Sequence, residues 1–140
     1  MTVADIMTSE LLTAELDDTV GDITKIFAEH HIHHILVVEG SRILGVVSDR
    51  DILRATSPYA NTAGEDARDS STLRKKAHQI MTRRVVTVCT TDTVVEAAAI
   101  MLENRFNCLP VLSHAGAVVG ILTKTDLLKC FLEQIAPVQA

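Results

Sequence analysis

Aromatic side chains are nearly absent from this 140-residue chain: Phe, Tyr and Trp together make up 3% of it, and there is no Trp. Proteins that bind single-stranded nucleic acid commonly stack bases on aromatic rings, so this scarcity argues against that class. The formal net charge of −5 also argues against nucleic acid or an anionic membrane as a partner. Since 47% of the residues are hydrophobic, the core has to be aliphatic.

Long apolar runs are missing as well. No run approaches the roughly 18 residues that a membrane-spanning helix needs, and the opening MTVADIMTSE lacks the basic and apolar regions of a signal peptide. The three cysteines, Cys89, Cys108 and Cys130, are odd in number and have no Cys-x-x-Cys spacing. This pattern is typical of buried, reduced thiols, and we expect a cytoplasmic protein without membrane contact.

The chain contains an internal repeat. Residues 5–39 align with residues 79–113 at an offset of 74, sharing Ile-Met-Thr near the start and Asp-Thr-Val further on. One extra loop residue in the second copy raises the offset to 75, and GVVSDRDILRA (45–55) then aligns with GILTKTDLLKC (120–130). Because each copy is too short to bury a secure core alone, we expect the two copies to pack together.

Both copies predict the element order strand, helix, strand, strand, helix. An extended piece, LLTAEL or VVTVCT, precedes the first helix. Two β-rich runs follow, ILVV and RILGVVS in copy one and LPVL and AVVGIL in copy two, each pair joined by a turn of hairpin length. The last helix begins near Ser48 or Thr123. The fold class is therefore α/β (α+β), with helices on one face of each small sheet.

The first helix of each copy has a capping-box spacing at its start, Thr19 with Asp22 and Thr93 with Glu96, although Asp18 or Asp92 could cap instead. In copy one, helical periodicity predicts a single apolar face. Its members are Val20, Ile23, Ile26, Phe27 and His30.

The predicted domain boundaries place the first repeat at residues 1–57, an inter-repeat segment at 58–77 and the second repeat at 78–140. Pro, Gly and Ser occur in the intervening stretch. Its first part predicts a loop, and SSTLRKKAHQIM (70–81) predicts a helix that leads into the second copy.

A shared motif, Gly-apolar-apolar-Ser/Thr-x-x-Asp, lies at the last strand-to-helix junction of each copy. It pairs Ser48 with Asp51 and Thr123 with Asp126. A carboxylate accepts two hydrogen bonds and suits the vicinal hydroxyls of a ribose, while the backbone N–H groups of the same turn favour an anion. The alternative is that the hydroxyls only cap their helices. Duplication copies structural features too, so the repetition does not discriminate between the two.

The chain resembles a tandem pair of cystathionine-β-synthase (CBS) domains, a Bateman module. The resemblance is carried by DIMT and QIMT, DDTV and TDTV, CLPVL, and above all GVVSDRD and GILTKTD. The layout is most similar to the stand-alone, acetoin-utilisation-type CBS proteins of bacteria. The resemblance implies two β-α-β-β-α repeats packed with pseudo-twofold symmetry, with two clefts between them.

The resemblance also implies a ligand: AMP, ADP, ATP or S-adenosylmethionine, bound as a signal and not as a required cofactor. A homodimer and a separate, unknown target protein are expected. Ribose binding would fall to Asp51 and Asp126 with Ser48 and Thr123, and adenine contact to the stretches around Thr13 and Thr87. Arg50 and Lys124, which lie beside the motif residues, are the candidates for phosphate.

One departure from the family pattern and one difference in charge distinguish the copies. Leu36 replaces the family's proline, which copy two keeps in LPV at 109–111, and proline would fix φ and remove a donor there. Copy two has Thr125 where copy one has Arg50, and Lys124 lies one position earlier. We therefore expect the two sites to differ in phosphate preference, or one site to stay empty.

Four of the six histidines lie in HHIHH at residues 30–34, which first indicates a metal site. The segment spans a helix end and a strand start, where neighbouring side chains point to opposite faces, so four imidazoles cannot converge. We expect His33 or His34 to border the first cleft and to make phosphate binding pH-sensitive. Metal sensing, or a purely structural dimerisation role, remains the alternative. Catalysis is disfavoured because no G-x-S-x-G, P-loop, H-E-x-x-H or dinucleotide motif is present.

Overall fold

Alternating apolar runs and capped amphipathic stretches give a chain of short helices and strands. The computed structural model describes residues 1–136; residues 137–140, the last four of the predicted second repeat, lie outside the described residues. The first part of the chain contains α1 (Val3–Ile6), β1 (Thr13–Ala14), α2 (Val20–His30), β2 (His34–Glu39), β3 (Arg42–Ser48) and α3 (Asp49–Ala55).

The connecting segment and the second part of the chain repeat this order. They contain α4 (Ala67–Ser71), a 3-10 turn (Thr72–Arg74), α5 (Ala77–Ile80), β4 (Val88–Cys89), α6 (Val94–Asn104), β5 (Cys108–Leu112), β6 (Val118–Thr123) and α7 (Lys124–Ile135). The predicted mixed α/β class is confirmed, with two three-stranded sheets. Among the described residues, no helix is both long and apolar enough to cross a membrane.

Each sheet belongs to a separate compact unit. Unit A is Leu12–Val85, and unit B combines Met1–Leu11 with the described residues from Val86 onward. Unit A has the strand order β1-β2-β3 and unit B the order β4-β5-β6; in both, the central strand is parallel to the first and antiparallel to the last. The first eleven residues thus pack with the second sheet, although they precede the first.

A short segment lines the outer edge of the last strand in each unit. In unit A, the Val46 and Thr82 backbones exchange hydrogen bonds of 3.0 and 2.8 Å, and in unit B Thr8 and Ile121 exchange two of 2.9 Å. Thr82 follows α5 and Thr8 follows α1, so each short helix delivers a bridging threonine to a sheet edge. Covering the edge satisfies backbone groups that would otherwise be open to intermolecular pairing.

Both cores are aliphatic, as the composition predicts. The buried side chains of unit A come from the sheet, α2 and the α5 segment: Ala14, Ile23, Ile35, Val37, Val47, Ala77 and Met81. Those of unit B come from α1, the sheet and α6: Val3, Val88, Ala97, Met101, Leu109, Val111 and Leu122.

The predicted helix over residues 70–81 is wrong as a continuous element. The backbone of Lys75 is extended, because its carbonyl accepts a hydrogen bond of 2.8 Å from the Val20 N–H while the Ala77 N–H donates to the Asp18 carbonyl at 2.7 Å. These tertiary bonds divide the segment into the 3-10 turn and α5. On α2 the apolar face ends earlier than predicted, since His30 is exposed.

Leu36 occupies the place that Pro110 has in the second copy, and it lets the β1–β2 ladder begin one pair earlier without changing its register. Leu36 is opposite Val46 on β3, and the backbone N–H and C=O of Val46 both bond to Thr82. The backbone N–H of Leu36 therefore faces β1, where Leu36 pairs with Thr13. In unit B, Pro110 has no N–H to offer, and the β4 ladder begins one position later, at Val88.

Candidate functional site

The Ser48–Asp51 pair lies where β3 ends and α3 begins. The Ser48 N–H and Oγ–H both donate to Asp51 Oδ2, at 2.9 and 3.0 Å, and the Asp51 N–H donates back to Ser48 Oγ at 3.2 Å. Both residues are half-buried. The capping box that was an alternative to ligand binding is therefore present, and it holds the carboxylate in one orientation beside the hydroxyl.

The Thr123–Asp126 pair repeats this geometry at the junction of β6 and α7. The Thr123 N–H and Oγ1–H donate to Asp126 Oδ2 at 2.9 and 3.1 Å, and the Asp126 N–H donates to Thr123 Oγ1 at 3.2 Å. The predicted capping boxes at Thr19 and Thr93 are also confirmed, with the threonines and not Asp18 or Asp92 as the caps.

The carboxylates of Asp51 and Asp126 differ in the hydrogen bonding of their second oxygen, Oδ1. Thr8 Oγ1, on the bridging segment of unit B, donates to Asp126 Oδ1 at 3.1 Å. Asp51 Oδ1 has no hydrogen-bond partner within residues 1–136, and Thr82, the counterpart of Thr8, forms none with it. Within residues 1–136, Asp51 therefore keeps Oδ1 free as an acceptor, whereas Asp126 Oδ1 already accepts one hydrogen bond from a hydroxyl.

The glycine of each motif allows the bridging segment to approach. A Cβ added to Gly45 would lie 2.6 Å from Met81 Sδ and 2.9 Å from the Thr82 carbonyl oxygen. A Cβ added to Gly120 would lie 2.7 Å from Met7 Sδ and 3.0 Å from the Thr8 carbonyl oxygen. The glycine and the hydroxyl–carboxylate pair thus belong to one arrangement, which joins the last strand to the bridging threonine.

His33 and His34 lie where β2 begins and point to different environments. His33 is exposed, and its Nδ1 lies 3.4 Å from Asp49 Oδ2. His34 is half-buried, and burial lowers its pKa below the ordinary value, while the charges of Asp49 and Asp51 oppose that shift. In this half-buried position the neutral imidazole is favoured.

The other predicted residues are more widely spaced. Arg50 and Lys124 are exposed in the first turns of α3 and α7. Thr13 lies on β1, two strands away from β3, which corresponds to about 10 Å at the usual strand spacing. Thr87 directly precedes β4, at the corresponding edge of the other sheet. The structure thus brings Ser48 together with Asp51 and Thr123 together with Asp126. Thr13 and Thr87 each lie at the opposite edge of the corresponding sheet.

Two further findings concern the histidines and cysteines. Among the described residues, no group of three or more His, Cys, Asp or Glu side chains is arranged to hold a metal ion. The prediction of buried thiols is wrong for Cys89, which is exposed, whereas Cys108 is half-buried and Cys130 is buried.

Thr8 and Thr82 are two residues of the strand-to-helix region whose part in it the sequence alone does not reveal. The available signal was the Ile-Met-Thr shared by both repeat starts. The role of this threonine cannot be predicted from the sequence, because each threonine pairs with the last strand of the other copy. Hydrophobic periodicity indicates only contacts between residues that are close together in the chain.

The family of the chain follows from comparison with known proteins. The sequence profile of the CBS domain matches residues 3–57 and 77–133, so this chain belongs to the CBS domain family and contains two copies of the domain. A CBS domain-containing protein of Dictyostelium discoideum is 33% identical over 138 residues, which cover 97% of this chain and 94% of that protein. The chain spans only 46% of another relative, protein MJ0188 of Methanocaldococcus jannaschii.

Solved structures of CBS domain pairs are similar over almost the whole chain. The AcuB protein of Vibrio cholerae, assigned to acetoin utilization, superposes with a TM-score of 0.80 at 25% identity, covering 96% of this chain and 93% of that one. The CBS domain pair of protein MJ0100, in complex with 5′-methylthioadenosine and S-adenosyl-L-methionine, gives 0.79 at 25% identity with coverages of 96% and 98%. CBSX2 in complex with AMP gives 0.77 at 27% identity with coverages of 95% and 97%.

Proposed function

We propose that this chain is a regulatory module that binds an adenine nucleotide or another adenosine-containing ligand and passes its ligand state to a separate protein. The observation that carries the proposal is the hydroxyl–carboxylate pair at the end of the last strand in both units, Ser48–Asp51 and Thr123–Asp126. Similar CBS pairs have been solved with AMP and with S-adenosyl-L-methionine and 5′-methylthioadenosine, ligands that share an adenosine.

The chemistry of the pair suits a ribose. Asp51 Oδ2 is occupied by Ser48, while Oδ1 remains available to accept a hydrogen bond from a sugar hydroxyl. In the proposed site, Thr13 or Thr87 contacts the adenine, and His33 or His34 lies at the rim of the Asp51 site. Ligand contacts with more than one element would favour one arrangement of the chain, and a partner that distinguishes the arrangements would respond.

A thermal-shift and calorimetry panel of AMP, ADP, ATP, S-adenosylmethionine and NADH tests the proposal. A ligand at one hundred times its Kd stabilises the folded state by about 2.7 kcal/mol, which shifts the melting temperature by several degrees. We expect Asp51→Ala to remove binding at the unit A site and Asp126→Ala to remove binding at the unit B site.

Asp22→Ala is the matched control, because Asp22 forms the same capping box with Thr19 at a different helix. It should lower stability by at most about 1 kcal/mol without changing ligand affinity, because it removes the bond from the Thr19 N–H to the Asp22 carboxylate but leaves Thr19 as the helix cap. Adenosine ligands that fail to bind the wild type, or that bind the Asp51→Ala Asp126→Ala protein unchanged, contradict the proposal.

We also propose that the chain forms a homodimer through the outer face of α7. Leu128, Phe131, Leu132 and Ile135 have the i, i+3, i+4, i+7 spacing of one helix face and are 57–65% exposed. Lys129 and Glu133 flank this face four residues apart. When two copies of α7 pair antiparallel, Lys129 faces Glu133 of the partner subunit, whereas parallel pairing would bring like charges together.

Light scattering after size exclusion tests the dimer. The wild type should have twice the 15.2 kDa chain mass, and Leu132→Lys should shift it toward the monomer. Leu102→Lys is the matched control, because Leu102 is 79% exposed on a different helix, α6, and an interface made by α7 should be left intact. A monomeric wild type, or a dimer that is unaffected by Leu132→Lys, contradicts this part of the proposal.

A further inference from the structure

The carboxylate of Asp126 accepts a hydroxyl from a distant part of the chain. Thr8 Oγ1 lies 3.1 Å from Asp126 Oδ1 and 3.4 Å from Oδ2, so the hydroxyl is at the edge between the two oxygens. Thr123 already occupies Oδ2 through its N–H and its Oγ1–H. Any further donor that approaches this edge therefore has to replace the Thr8 hydroxyl or share the carboxylate with it.

The backbone of Thr8 is held in place independently of this contact. Its N–H and its C=O each pair with Ile121 on β6 at 2.9 Å. Thr8 is exposed, so its side chain is not confined by packing. The hydroxyl can therefore leave Asp126 by rotation of the side chain to another staggered position, while the pairing with β6 stays intact.

Thr82 shows that this backbone pairing does not require a contact with the carboxylate. It occupies the corresponding place in unit A and pairs with Val46 at 3.0 and 2.8 Å. Within residues 1–136, however, the Thr82 hydroxyl forms no hydrogen bond with Asp51, and Oδ1 of Asp51 has no partner. The two threonines thus share a backbone position and differ in what the hydroxyl does.

The hydroxyl of Thr8 and the diol of a ribose need the same acceptor positions. Two vicinal hydroxyls donate two hydrogen bonds to a carboxylate, and at Asp126 the edge that would receive them is taken by Thr8. A ligand that binds through both hydroxyls replaces the Thr8 bond, so its net gain is one hydrogen bond smaller. A sugar with a single hydroxyl leaves Thr8 one oxygen to keep.

We infer that Thr8 determines the affinity and the sugar specificity of the Asp126 site, because its hydroxyl competes with the sugar of the ligand. This inference rests on the proposed function, since it presupposes that Asp126 binds a ribose. Removal of the hydroxyl should tighten the binding of a ribonucleoside, which then no longer displaces an internal bond. The same change should affect a deoxyribonucleoside less, because that ligand does not displace Thr8.

Calorimetry with adenosine and 2′-deoxyadenosine in an Asp51→Ala background tests this inference, because the Asp126 site is then measured alone. Thr8→Val removes the hydroxyl and keeps the β-branched shape of the side chain. It should tighten adenosine binding by about threefold to tenfold, the range for one hydrogen bond, and change the affinity for 2′-deoxyadenosine by less than about twofold. Thr8→Ser keeps a hydroxyl and should retain both affinities of the background protein.

Thr82→Val in an Asp126→Ala background is the matched control. It removes the hydroxyl at the corresponding place of unit A, where no bond to the carboxylate is lost. The adenosine affinity of the Asp51 site should therefore stay unchanged. Equal tightening by Thr82→Val and Thr8→Val overturns the inference, because valine at the sheet edge would then act without any competition for a carboxylate.

The failure of this inference is distinguishable from the failure of the proposed function. If adenosine binds the Asp51→Ala protein but Thr8→Val leaves that affinity unchanged or weakens it, Thr8 is not a competitor and the adenosine site stands. Equal tightening of adenosine and 2′-deoxyadenosine also overturns the inference, because the second hydroxyl would then play no part. If adenosine binds neither the Asp51→Ala protein nor its Thr8→Val derivative, the proposed function itself fails at Asp126.

Discussion

Cys89, Cys108 and Cys130 occupy three different environments. Cys89 is exposed on β4, and Cys130 is buried with its Sγ 3.3 Å from the Sδ of Met1. Burial raises the pKa of the Cys108 thiol to about 12, so that this thiol stays protonated at neutral pH. Because the thiolate is the reacting form, the three residues should differ sharply in reactivity.

Alkylation with a maleimide at pH 7.5 measures this difference. We expect one fast-reacting thiol per folded chain, with the other two reacting only on unfolding. Cys89→Ser should abolish the fast phase, and Cys108→Ser should retain it. Two fast thiols in the wild type, or a fast phase that survives Cys89→Ser, would show that the burial assignments are wrong.

His34 should make the stability of the chain depend on pH. Burial lowers its folded-state pKa below the value near 6.5 of the unfolded chain, so the unfolded state binds a proton more readily. The stabilising contribution is therefore complete above pH 6.5 and is lost as the pH falls through the lower folded-state pKa.

Urea unfolding between pH 5 and 8 tests the role of His34. The free energy of unfolding of the wild type should fall toward acid more steeply than that of His34→Gln. His114→Gln, in an exposed turn, should keep the wild-type slope and serves as the control. Parallel curves for wild type and His34→Gln are inconsistent with this role.

At the level of elements, the bridging segments depend on the two motif glycines. An alanine at position 45 would place its Cβ against the Thr82 carbonyl and Met81, and an alanine at position 120 would meet Thr8 and Met7 in the same way. A side-chain end can move, but a backbone carbonyl that already pairs with the strand cannot move without disturbing that pairing.

We therefore predict that Gly45→Ala and Gly120→Ala each destabilise the fold by about 1–3 kcal/mol, the usual cost of overpacking. Gly64→Ala is the matched control, because a Cβ there would meet nothing closer than 3.7 Å. Chemical unfolding of the three variants measures the effect. A Gly45→Ala protein as stable as Gly64→Ala would mean that the bridging segment does not need this close approach.

The elements that local sequence determines were predicted well. RILGVVS coincides with β3, and Thr19 and Thr93 cap their helices, because alternation and capping depend on residues close together in the chain. The helix expected over 70–81 fails for the opposite reason. Its backbone bonds to Asp18 and Val20, about 57 residues earlier, and nothing in the local sequence records those partners.

In the candidate site, too, local contacts could be predicted from the sequence and long-range contacts could not. Ser48 with Asp51 and Thr123 with Asp126 could be paired from the motif alone, because the two members are three residues apart. The hydrogen bond from Thr8 to Asp126 spans 118 residues and appears only in the folded chain.

At the scale of the whole chain, the fold is a duplication in which the copies exchange their opening segments. Unit A takes Thr82 from the start of the second copy, and unit B takes Thr8 from the start of the first. The two hydroxyl–carboxylate pairs therefore share their capping-box geometry, but the bridging threonine at the edge of each sheet comes from the opening segment of the other copy.

We propose that Asp51 and Asp126 bind the ribose of an adenosine ligand. Calorimetric titration of AMP and 5′-methylthioadenosine into the wild type and into the Asp51→Ala Asp126→Ala protein tests it most directly, with Asp22→Ala as the control for loss of a capping box. We predict that both ligands bind the wild type and Asp22→Ala, and that neither binds the double variant. Undiminished binding to a folded double variant, or no binding of either ligand to the wild type, would contradict the claim.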